Sequence, residues 1–238
     1  MKDKKKLVLT INREYGSGGR IVGKRLSQEL GINFYDEEIL RLTAEKSAVG
    51  EQYFRLADEK AGNNLLYRIV SGMKPSMGTP SIGDRLTTPE NLFKFQSAVI
   101  RQLAAEESCI IVGRAADYIL YQEEDLEGLI RIFVYADDVR RVERVMEVDC
   151  IDEVRAKKRI KKIDKERKDF YFYFTGEDWQ NVKNYDLPIN TTNFDLDETV
   201  ELIKEYIRLK GYEPVSYTHL DVYKRQFPDF VQGGQGRR

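Results

Sequence analysis

A glycine-rich segment between a short apolar run and an amphipathic helix constrains this chain more than any other feature. The run Leu7–Ile11 carries apolar side chains at most positions, which is typical of a central parallel strand covered on both faces. The segment that follows holds three glycines in four positions, Gly16, Gly18 and Gly19. This order brings backbone N–H groups and the positive end of a helix dipole to one point. The sequence therefore predicts a phosphate-binding loop, and a nucleotide-handling enzyme is the first hypothesis.

The phosphate is expected at the loop Asn12–Gly19, with Arg13 at its entrance and Arg20 at the start of the next helix as the available cations. That helix is predicted to begin near Arg20 and to stop at Gly31. Its apolar stripe recurs every four residues and is widened by one neighbour: Val22, Leu26, Leu30 and Ile21. A glycine turn that merely connects strand and helix is the alternative.

The residues Gly18, Gly23 and Lys24 have the spacing of a Walker A motif, but Gly23 and Lys24 do not lie in the loop where that motif binds phosphate. Lys24 would lie more than one turn inside the helix, on the side away from the apolar stripe. Arg25 stands where that motif has the serine or threonine that ligates magnesium. We therefore expect Lys24 to lie outside the phosphate site.

The composition is that of an ordinary globular protein, with 33% charged and 41% hydrophobic residues in a chain of 238. No apolar run approaches the ~20 residues of a membrane span, and the lysine-rich start lacks the apolar core of a signal peptide. We therefore expect a cytoplasmic protein with no membrane partner. The net charge of −1 gives no overall attraction to nucleic acid.

Few side chains are available for metal or histidine chemistry. Cys109 and Cys150 have no metal-ligand spacing, and in a reducing compartment they are expected to be packed thiols. The single histidine, His219, lies in a tail that does not continue the pattern of the domain. A histidine base is therefore disfavoured. This agrees with phosphoryl transfer, in which positioning and cations matter more than a dedicated base.

Strands and helices alternate along the rest of the chain, which predicts an α/β fold with a central parallel sheet and helices on both faces. Further strands are predicted at Ile32–Asp36, Ser108–Val112, Leu129–Tyr135 and Asp186–Asn190. Helices are predicted at Glu37–Lys46, Asn91–Glu107 and Asp152–Lys168. Another helix is predicted to begin at Asp137 or Asp138, with Val139, Val142 and Met146 as its apolar residues. The last is predicted to begin at Asp197, with Val200, Ile203 and Ile207 on one face. No helix is predicted between Val112 and Leu129.

Two segments are candidates for moving parts. Ser71–Glu90 holds three of the six prolines and three glycines, which predicts a long loop that is either a lid, a binding loop or a plain connection. Arg155–Lys168 carries nine cations, offset by Asp164 and Glu166. One interpretation is a lid that closes over polyphosphate, and the alternatives are a solvated helix face and an RNA-binding patch. The aromatic run Phe170–Phe174 is expected to alternate, burying one face or anchoring the lid.

The tail Val215–Arg238 does not continue the domain pattern. It resembles a recurrent artefactual translation attached to unrelated metagenome-derived sequences, and a genuine disordered terminus is the alternative. The expected domain therefore covers residues 1–214.

The pattern from Leu7 to Lys210 resembles the cytidylate kinase group of P-loop nucleoside monophosphate kinases, in particular its divergent branch of bacteria and archaea. The matching motifs are Thr10-Ile11-Asn12 with Gly16-Ser17-Gly18, Asp36, Gly113-Arg114, Arg131–Val134, Asp164-x-x-Arg167 and Asp186–Asn190. The resemblance implies a three-layer P-loop kinase fold in residues 1–214, with an acceptor-side region at about 36–107 and a helical lid at about 150–180. It also implies transfer of the γ-phosphoryl group of ATP, carried with Mg²⁺, to a nucleoside monophosphate such as CMP or dCMP.

The resemblance also implies the roles of particular residues. It places ATP beside the glycine loop, the helix start and the end of the last strand: Gly16, Ser17, Gly18, Gly19, Arg20, Asn190 and Thr191. It places the acceptor beside Asp36, Arg41 and Arg114. It implies that charge is neutralised during transfer by Arg13, Arg20, Arg159 and Arg167, and that the lid uses Lys162, Asp164 and Arg167. Mg²⁺ has no direct protein ligand in this interpretation and arrives with ATP.

The sequence departs from the family pattern in three places. One is after Arg114, where Ala115-Ala116-Asp117 matches the family's acidic start only weakly. Gly19 stands where the family has its loop lysine, and Ile21 stands where a hydroxyl residue follows. This departure favours a nucleotide-binding sensor without catalysis as an alternative. The stretch Glu37–Leu42 lacks the family's Ser-Gly and Tyr-Arg residues, which favours a kinase of a non-nucleotide small molecule. A nucleic-acid-binding module ranks last because the basic charge is confined to one helix, and the oligomeric state stays open.

Overall fold

Five parallel strands form the centre of the fold in the computed structural model, which describes residues 6–36, 88–123 and 126–212. The strands are β1 (Val8–Arg13), β2 (Asn33–Tyr35), β3 (Cys109–Val112), β4 (Leu129–Tyr135) and β5 (Leu187–Asn190). Their order across the sheet is β2-β3-β1-β4-β5, so β1 lies in the middle. Every residue of β1 is buried, as its apolar sequence predicts.

The helices of the described residues cover both faces of the sheet. They are α1 (Gly19–Leu30), α2 (Pro89–Glu106), α3 (Ala116–Tyr121), α4 (Asp138–Asp149), α5 (Glu153–Thr175) and α6 (Leu196–Leu209). Leu9 and Ile11 of β1 pack with α1 and α6, whereas Val8 packs with α2 and α3 on the other face. The predicted three-layer α/β fold is therefore confirmed.

The sheet-facing side of α1 is formed by Val22, Leu26 and Leu30, all buried as predicted. The prediction for Ile21 was wrong, because its side chain is 42% exposed. Ile21 lies on the first turn of α1, where it lines a cleft beside the glycine loop instead of the core.

Gly23 has a packing role in α1. A Cβ atom at this position would lie 3.0 Å from Ile11 Cδ1 and 3.1 Å from Phe34 Cε2, so glycine lets the helix approach the sheet closely. Lys24 is exposed on the other side of the helix. The Walker-like spacing around Lys24 therefore reflects helix packing, in agreement with the sequence prediction.

The buried face of α4 differs from the predicted one. Val142 is buried as expected, but Val139 and Met146 are exposed, and Val145 is buried in their place. The reason is that α4 packs against the glycine loop and against α5, so its inner face follows Val142 and Val145. The predicted face of α6, with Val200, Ile203 and Ile207, is buried and confirmed.

Two helices differ in extent from the sequence prediction. The six residues of α3 were not predicted as a helix, and α5 continues to Thr175 instead of ending near Lys168. The aromatic run is therefore helical and does not alternate. Tyr171 is buried, Phe174 stacks on Phe93 at 4.1 Å between ring centroids, and Phe172 is exposed.

Several predictions fall outside the described residues. They concern Arg41, the helix Glu37–Lys46, most of the loop Ser71–Glu90, and the tail Val215–Arg238. Among the helices that the structure describes, none combines the length and the apolar character needed to span a membrane.

A buried hydrogen-bond network joins the end of β1 to α3 and α5. Asp117 on α3 is 3% exposed, and its carboxylate accepts hydrogen bonds from Asn12 Nδ2 and from the Tyr171 hydroxyl, both at 2.8 Å. The Tyr185 hydroxyl lies 3.2 Å from Asn12 Nδ2 and donates to the carbonyl of Trp179. Burial raises the pKa of Asp117 to about 6, and the bonds from Tyr171 and Asn12 offset part of that rise.

Asp117 gives the protein a pH-dependent stability. Its pKa in the folded protein is about 6, above the ordinary value of 3.8, so between these values the folded state binds the proton more tightly than the unfolded state. The contribution of Asp117 to the free energy of unfolding therefore decreases as the pH rises through this window, by about 3 kcal/mol in total. The variant Asp117→Asn lacks this slope. Urea titrations give the free energy of unfolding of both proteins. We expect the wild-type value minus the variant value to fall between about pH 4 and about pH 6 and to level off above.

The control is Asp169→Asn, which changes an exposed carboxylate of α5 that pairs with Lys165. It should leave the shape of the pH profile unchanged. A wild-type profile that runs parallel to that of Asp117→Asn would contradict the assignment.

Candidate active site

The glycine loop starts at the edge of the sheet where the parallel strands end. It runs from Glu14 to Gly18, between the last residue of β1 and the first residue of α1. In open α/β sheets this edge is where ligands bind, because the connecting loops and helix starts converge there. The loop therefore lies where the sequence predicts it.

Two glycines determine the course of the loop. Gly16 and Gly18 have φ angles of 84° and 88°, in the left-handed region that favours glycine. A Cβ atom on Gly16 would lie 2.8 Å from the carbonyl oxygen of Arg141, and one on Gly18 would lie 2.5 Å from Leu196 Cδ2. The loop is thus packed between α4 and the start of α6, with no room for a side chain at either position.

The loop's own side chains turn away from its centre. Ser17 is fully buried, and its hydroxyl donates to the carbonyl of Glu14 at 2.9 Å. The Tyr15 N–H donates to Asp164 Oδ1 at 2.8 Å, and the Tyr15 hydroxyl donates to Asp149 at 2.8 Å. In this arrangement the loop can meet a ligand through its backbone, while the Ser17 hydroxyl is held inside the loop.

Asn190 ends β5 and Thr191 follows it, where the resemblance places ATP. Thr191 is fully buried beneath the loop, and its hydroxyl donates to the carbonyl of Ser17 at 2.8 Å. The Asn190 side chain is exposed and accepts from the N–H of Thr192 at 2.9 Å. The structure thus shows Thr191 supporting the loop from below and Asn190 closing the turn after β5.

Two clefts lie on either side of the end of β1. The first, the loop cleft, has a volume of about 630 Å³ and includes in its lining Arg13, Gly16, Gly18, Arg20, Arg144 and Arg167. The second, the α5 cleft, has a volume of about 260 Å³ and includes in its lining Arg13, Gly113, Arg114, Arg167, Phe170 and Trp179. Arg13 and Arg167 line both, so these two residues lie between the clefts.

Arg13 and Arg167 are also tied to each other. Arg13, the last residue of β1, is buried, and Arg167 Nη1 donates to its backbone carbonyl at 3.0 Å. Arg167 lies 4.0 Å from Asp164 on the same helix and its guanidinium is 5.7 Å from the centre of the Tyr15 ring. The middle of α5 is therefore in direct contact with the glycine loop and the end of β1.

Arg20 and Asp36 form one ion pair, although the resemblance places one with ATP and the other with the acceptor. Arg20 Nε and Nη2 both donate to Asp36 Oδ2, at 2.9 and 2.5 Å. The Asp36 side chain is nearly buried, whereas that of Arg20 is 64% exposed. Asp36 therefore holds the Arg20 guanidinium at the start of α1, where it lines the loop cleft.

Arg114 lies in the α5 cleft, directly after β3. Its backbone φ is 56°, and its guanidinium lies over the ring of Phe170 at 4.9 Å from the ring centre. Together with Arg13 and Arg167, it gives this cleft three cationic side chains beside an aromatic wall. Such a lining suits an anionic group attached to a planar or apolar body.

Arg159 and Lys162 lie on outer parts of α5. Arg159 is half-exposed and 3.2 Å from Asp149, and Lys162 is exposed and 3.9 Å from Glu166. Within the part of the chain that the structure describes, neither lines the two clefts. The structure thus brings Arg13, Arg20, Arg114 and Arg167 to the clefts and leaves Arg159 and Lys162 outside them.

Burial also changes the acid–base properties of groups around the loop. The pKa of Glu14 is raised by burial, and the nearby Arg141 offsets part of that rise. The pKa of Arg144 is lowered by desolvation and then by the neighbouring Arg140. Among the described residues, no three His, Cys, Asp or Glu side chains are grouped so that they could hold a metal ion.

The sequence interpretation missed the two arginines of α4 that contact the loop. Arg141 Nε donates to the carbonyl of Tyr15 at 2.8 Å, and Arg144 Nη1 donates to the carbonyl of Ser17 at 3.1 Å. The available signal was their spacing of three residues, which places both on one side of a helix that follows a strand of the sheet. That spacing is common on solvated helices, so it did not distinguish them.

The chain is similar to known proteins over most of its length. A model of the cytidylate kinase-like family matches residues 8–193. A cytidylate kinase from Methanopyrus kandleri is 25% identical over 208 residues, covering 84% of this chain and 93% of that protein. One from Archaeoglobus fulgidus is 24% identical over 206 residues, covering 85% of this chain and 95% of that protein.

A solved structure shows the same fold. It is the crystal structure of an uncharacterized protein from Eubacterium ventriosum, with a TM-score of 0.62 and 28% sequence identity, covering 85% of this chain and 99% of that one. The family match spans the strand, the glycine loop, α4, α5 and the end of β5, which are the elements that build the two clefts. The protein therefore belongs to the cytidylate kinase-like family.

Proposed function

We propose that this protein transfers the γ-phosphoryl group of ATP to a nucleoside monophosphate, with CMP or dCMP as the acceptor. Two clefts with a common wall of Arg13 and Arg167 carry this proposal. Phosphoryl transfer needs a donor and an acceptor on opposite sides of the transferred group, with cations beside that group. The family supports nucleotide kinase chemistry, and the names of the two relatives support cytidylate as the acceptor.

The loop cleft is the proposed donor site. The backbone N–H groups of Gly16 and Gly18 and the start of α1 suit the phosphates of ATP. Mg²⁺ enters as part of the ATP–Mg²⁺ complex, since phosphate oxygens and water are its usual ligands in such enzymes. Its chemistry there is to neutralise charge on the phosphates.

The missing loop lysine is replaced, in this proposal, by arginines. Arg20 is held at the start of α1 by Asp36, and Arg13 is held at the end of β1 under α5. Both line the loop cleft, so both can add positive charge beside the phosphates of the donor. Arg167 faces both clefts and is the proposed partner of the group in transit.

The α5 cleft is the proposed acceptor site. Arg114 and Arg167 suit the acceptor phosphate, and Phe170 with Trp179 provides an aromatic wall for a base. Its volume of about 260 Å³ is near the lower limit for small-molecule sites. Residues 37–87, which the resemblance places partly on the acceptor side, lie outside the described residues.

A nucleotide-binding sensor is the second candidate. Gly19 at the lysine position favours it, and so does the contact between Asp164 and the Tyr15 N–H, which already joins α5 to the loop. In a sensor, nucleotide would bind the loop cleft and change the position of α5 without transfer. Turnover is the property that separates the two candidates.

The first prediction concerns the acceptor. With the full chain, ATP–Mg²⁺ and a panel of CMP, dCMP, UMP, AMP and GMP, we expect ADP formation to be fastest with CMP or dCMP. A coupled assay for ADP measures this, and an acceptor-free reaction corrects for hydrolysis. ATP binding without turnover of any acceptor would favour the sensor and contradict the kinase proposal.

The second prediction concerns Arg13 through its neighbour Gly113. Gly113 has a φ of 81°, and a Cβ atom there would overlap Arg13 Nη1. Gly113→Ala should therefore displace the Arg13 guanidinium from the wall between the clefts. We expect kcat to fall by about 100-fold, the effect of misplacing a reacting group by ~1 Å. Steady-state kinetics with the best acceptor measures it.

Gly211→Ala is the matched control for this variant. Gly211 has a φ of 83°, nearly that of Gly113, but no atom lies within 4 Å of the position its Cβ would take. The two variants therefore share the backbone cost and differ in the contact with Arg13. Equal kcat values for both variants would mean that the position of Arg13 does not matter for transfer.

A further inference from the structure

The loop offers two unused backbone donors to its cleft. Among the residues that the structure describes, none accepts a hydrogen bond from the N–H of Gly16 or of Gly18. The Tyr15 N–H, in contrast, is bonded to Asp164, and the Ser17 N–H is bonded to the carbonyl of Glu14 at 3.3 Å. Gly16 and Gly18 both line the loop cleft, so their N–H groups are available to a ligand there.

The carbonyl that precedes each of these donors is fixed from outside the loop. Arg141 Nε donates to Tyr15 O at 2.8 Å. Arg144 Nη1 and the Thr191 hydroxyl donate to Ser17 O at 3.1 and 2.8 Å. These three side chains therefore act on alternate peptide groups of the loop.

Because the peptide group is planar, fixing a carbonyl oxygen also fixes the direction of the N–H group that follows it. In a planar trans peptide, the C=O of one residue and the N–H of the next point in opposite directions. Fixing Tyr15 O toward α4 therefore turns the Gly16 N–H away from α4, and fixing Ser17 O does the same for the Gly18 N–H. The positive φ angles of the two glycines let the chain reverse between these peptide groups.

The two arginines differ in their charge environment. Arg141 is 6% exposed and forms ion pairs with three carboxylates: Asp164, Asp138 at 3.3 Å and Glu14 at 3.5 Å. Among the described residues, the hydrogen bonds of Arg144 go to uncharged oxygens: the carbonyls of Ser17, Thr191 and Phe194 and the Thr191 hydroxyl. Its planar fork spans Ser17 O and Thr191 O, which a lysine cannot do in the same way.

We propose that Arg141 and Arg144 are positioning residues of the loop, which orient the Gly16 and Gly18 N–H groups toward the phosphates of a bound nucleotide. This inference rests on the proposed donor site in the loop cleft. It assigns to α4 the orientation of the loop's backbone donors. The α4 arginines act through the backbone of the loop, whereas Arg13 and Arg20 are proposed to act through charge.

The test compares ligands that do and do not carry phosphate. Arg144→Met and Arg144→Lys should each weaken the binding of ADP by about 10-fold to 100-fold, the loss of a charge-assisted hydrogen-bond pair. Both should leave the affinity for adenosine unchanged. Calorimetry measures ADP and ligand-observed NMR measures adenosine, on the full chain. The loss in Arg144→Lys identifies geometry, because that variant keeps the charge.

A second pair of variants approaches the same carbonyl without touching an arginine. Thr191→Val removes the other donor to Ser17 O and should weaken ADP binding, whereas Thr191→Ser keeps the hydroxyl and should restore it. Arg208→Met is the control, since Arg208 lies on the exposed side of α6 and pairs with Glu205. It should change neither affinity.

Three results would overturn the inference: an unchanged affinity for ADP in the Arg144 variants, an equal loss for ADP and adenosine, or normal binding in Arg144→Lys. The readout is binding, so it separates this inference from the kinase proposal. If ADP binding responds as expected but no acceptor is phosphorylated, the inference stands and the kinase proposal fails. If the wild type does not bind ADP, both fail.

Discussion

One carboxylate, that of Asp164, connects three parts of the site that are distant in the sequence. It accepts the Tyr15 N–H at 2.8 Å, pairs with the buried Arg141, and lies 4.0 Å from Arg167. Without it, Arg141 would keep longer pairs with Asp138 and Glu14, and α5 would lose its hydrogen bond to the Tyr15 N–H. Because this pair is largely buried, we expect the placement of α5 over the loop to depend on Asp164 more than on the exposed cations of the same helix.

Acidic residues balance several of the arginines around the loop cleft. Arg20 pairs with Asp36, Arg25 pairs with Asp197, and Arg140 pairs with Glu143. Without these acidic partners, the neighbouring positive charges would repel one another and destabilise the packing around the loop cleft. Arg144 is the exception described above, since its bonds go to uncharged oxygens. A bound polyphosphate would add negative charge beside Arg144, which couples binding of an anion to the stability of the loop.

Much of the fold follows from local sequence, but the contacts of the site do not. The strands and most helices were predictable because apolar residues recur with strand or helix spacing, and the loop because glycines stand between two such elements. The short helix α3 was missed because six residues give too little periodicity, and with it Asp117. The pairing of Arg20 with Asp36 joins residues 16 positions apart, and that of Arg141 with Asp164 joins residues 23 apart. Such contacts depend on how the helices pack, and no spacing in the sequence encodes them.

If the loop binds phosphate as proposed, it shows how such a site can be organised without the lysine that the family resemblance leads one to expect. A lysine is a single flexible charge that must lose side-chain entropy when it meets the ligand. Here the cations come from β1, α1 and α4. The Arg20 guanidinium is fixed by Asp36 and that of Arg144 by Thr191, and the backbone of Arg13 is bonded to Arg167, all before any ligand binds. Groups held in advance need little reorganisation when charge develops beside them. In the proposed function, the loss of the lysine is therefore offset by a site whose charges and backbone donors are already in place.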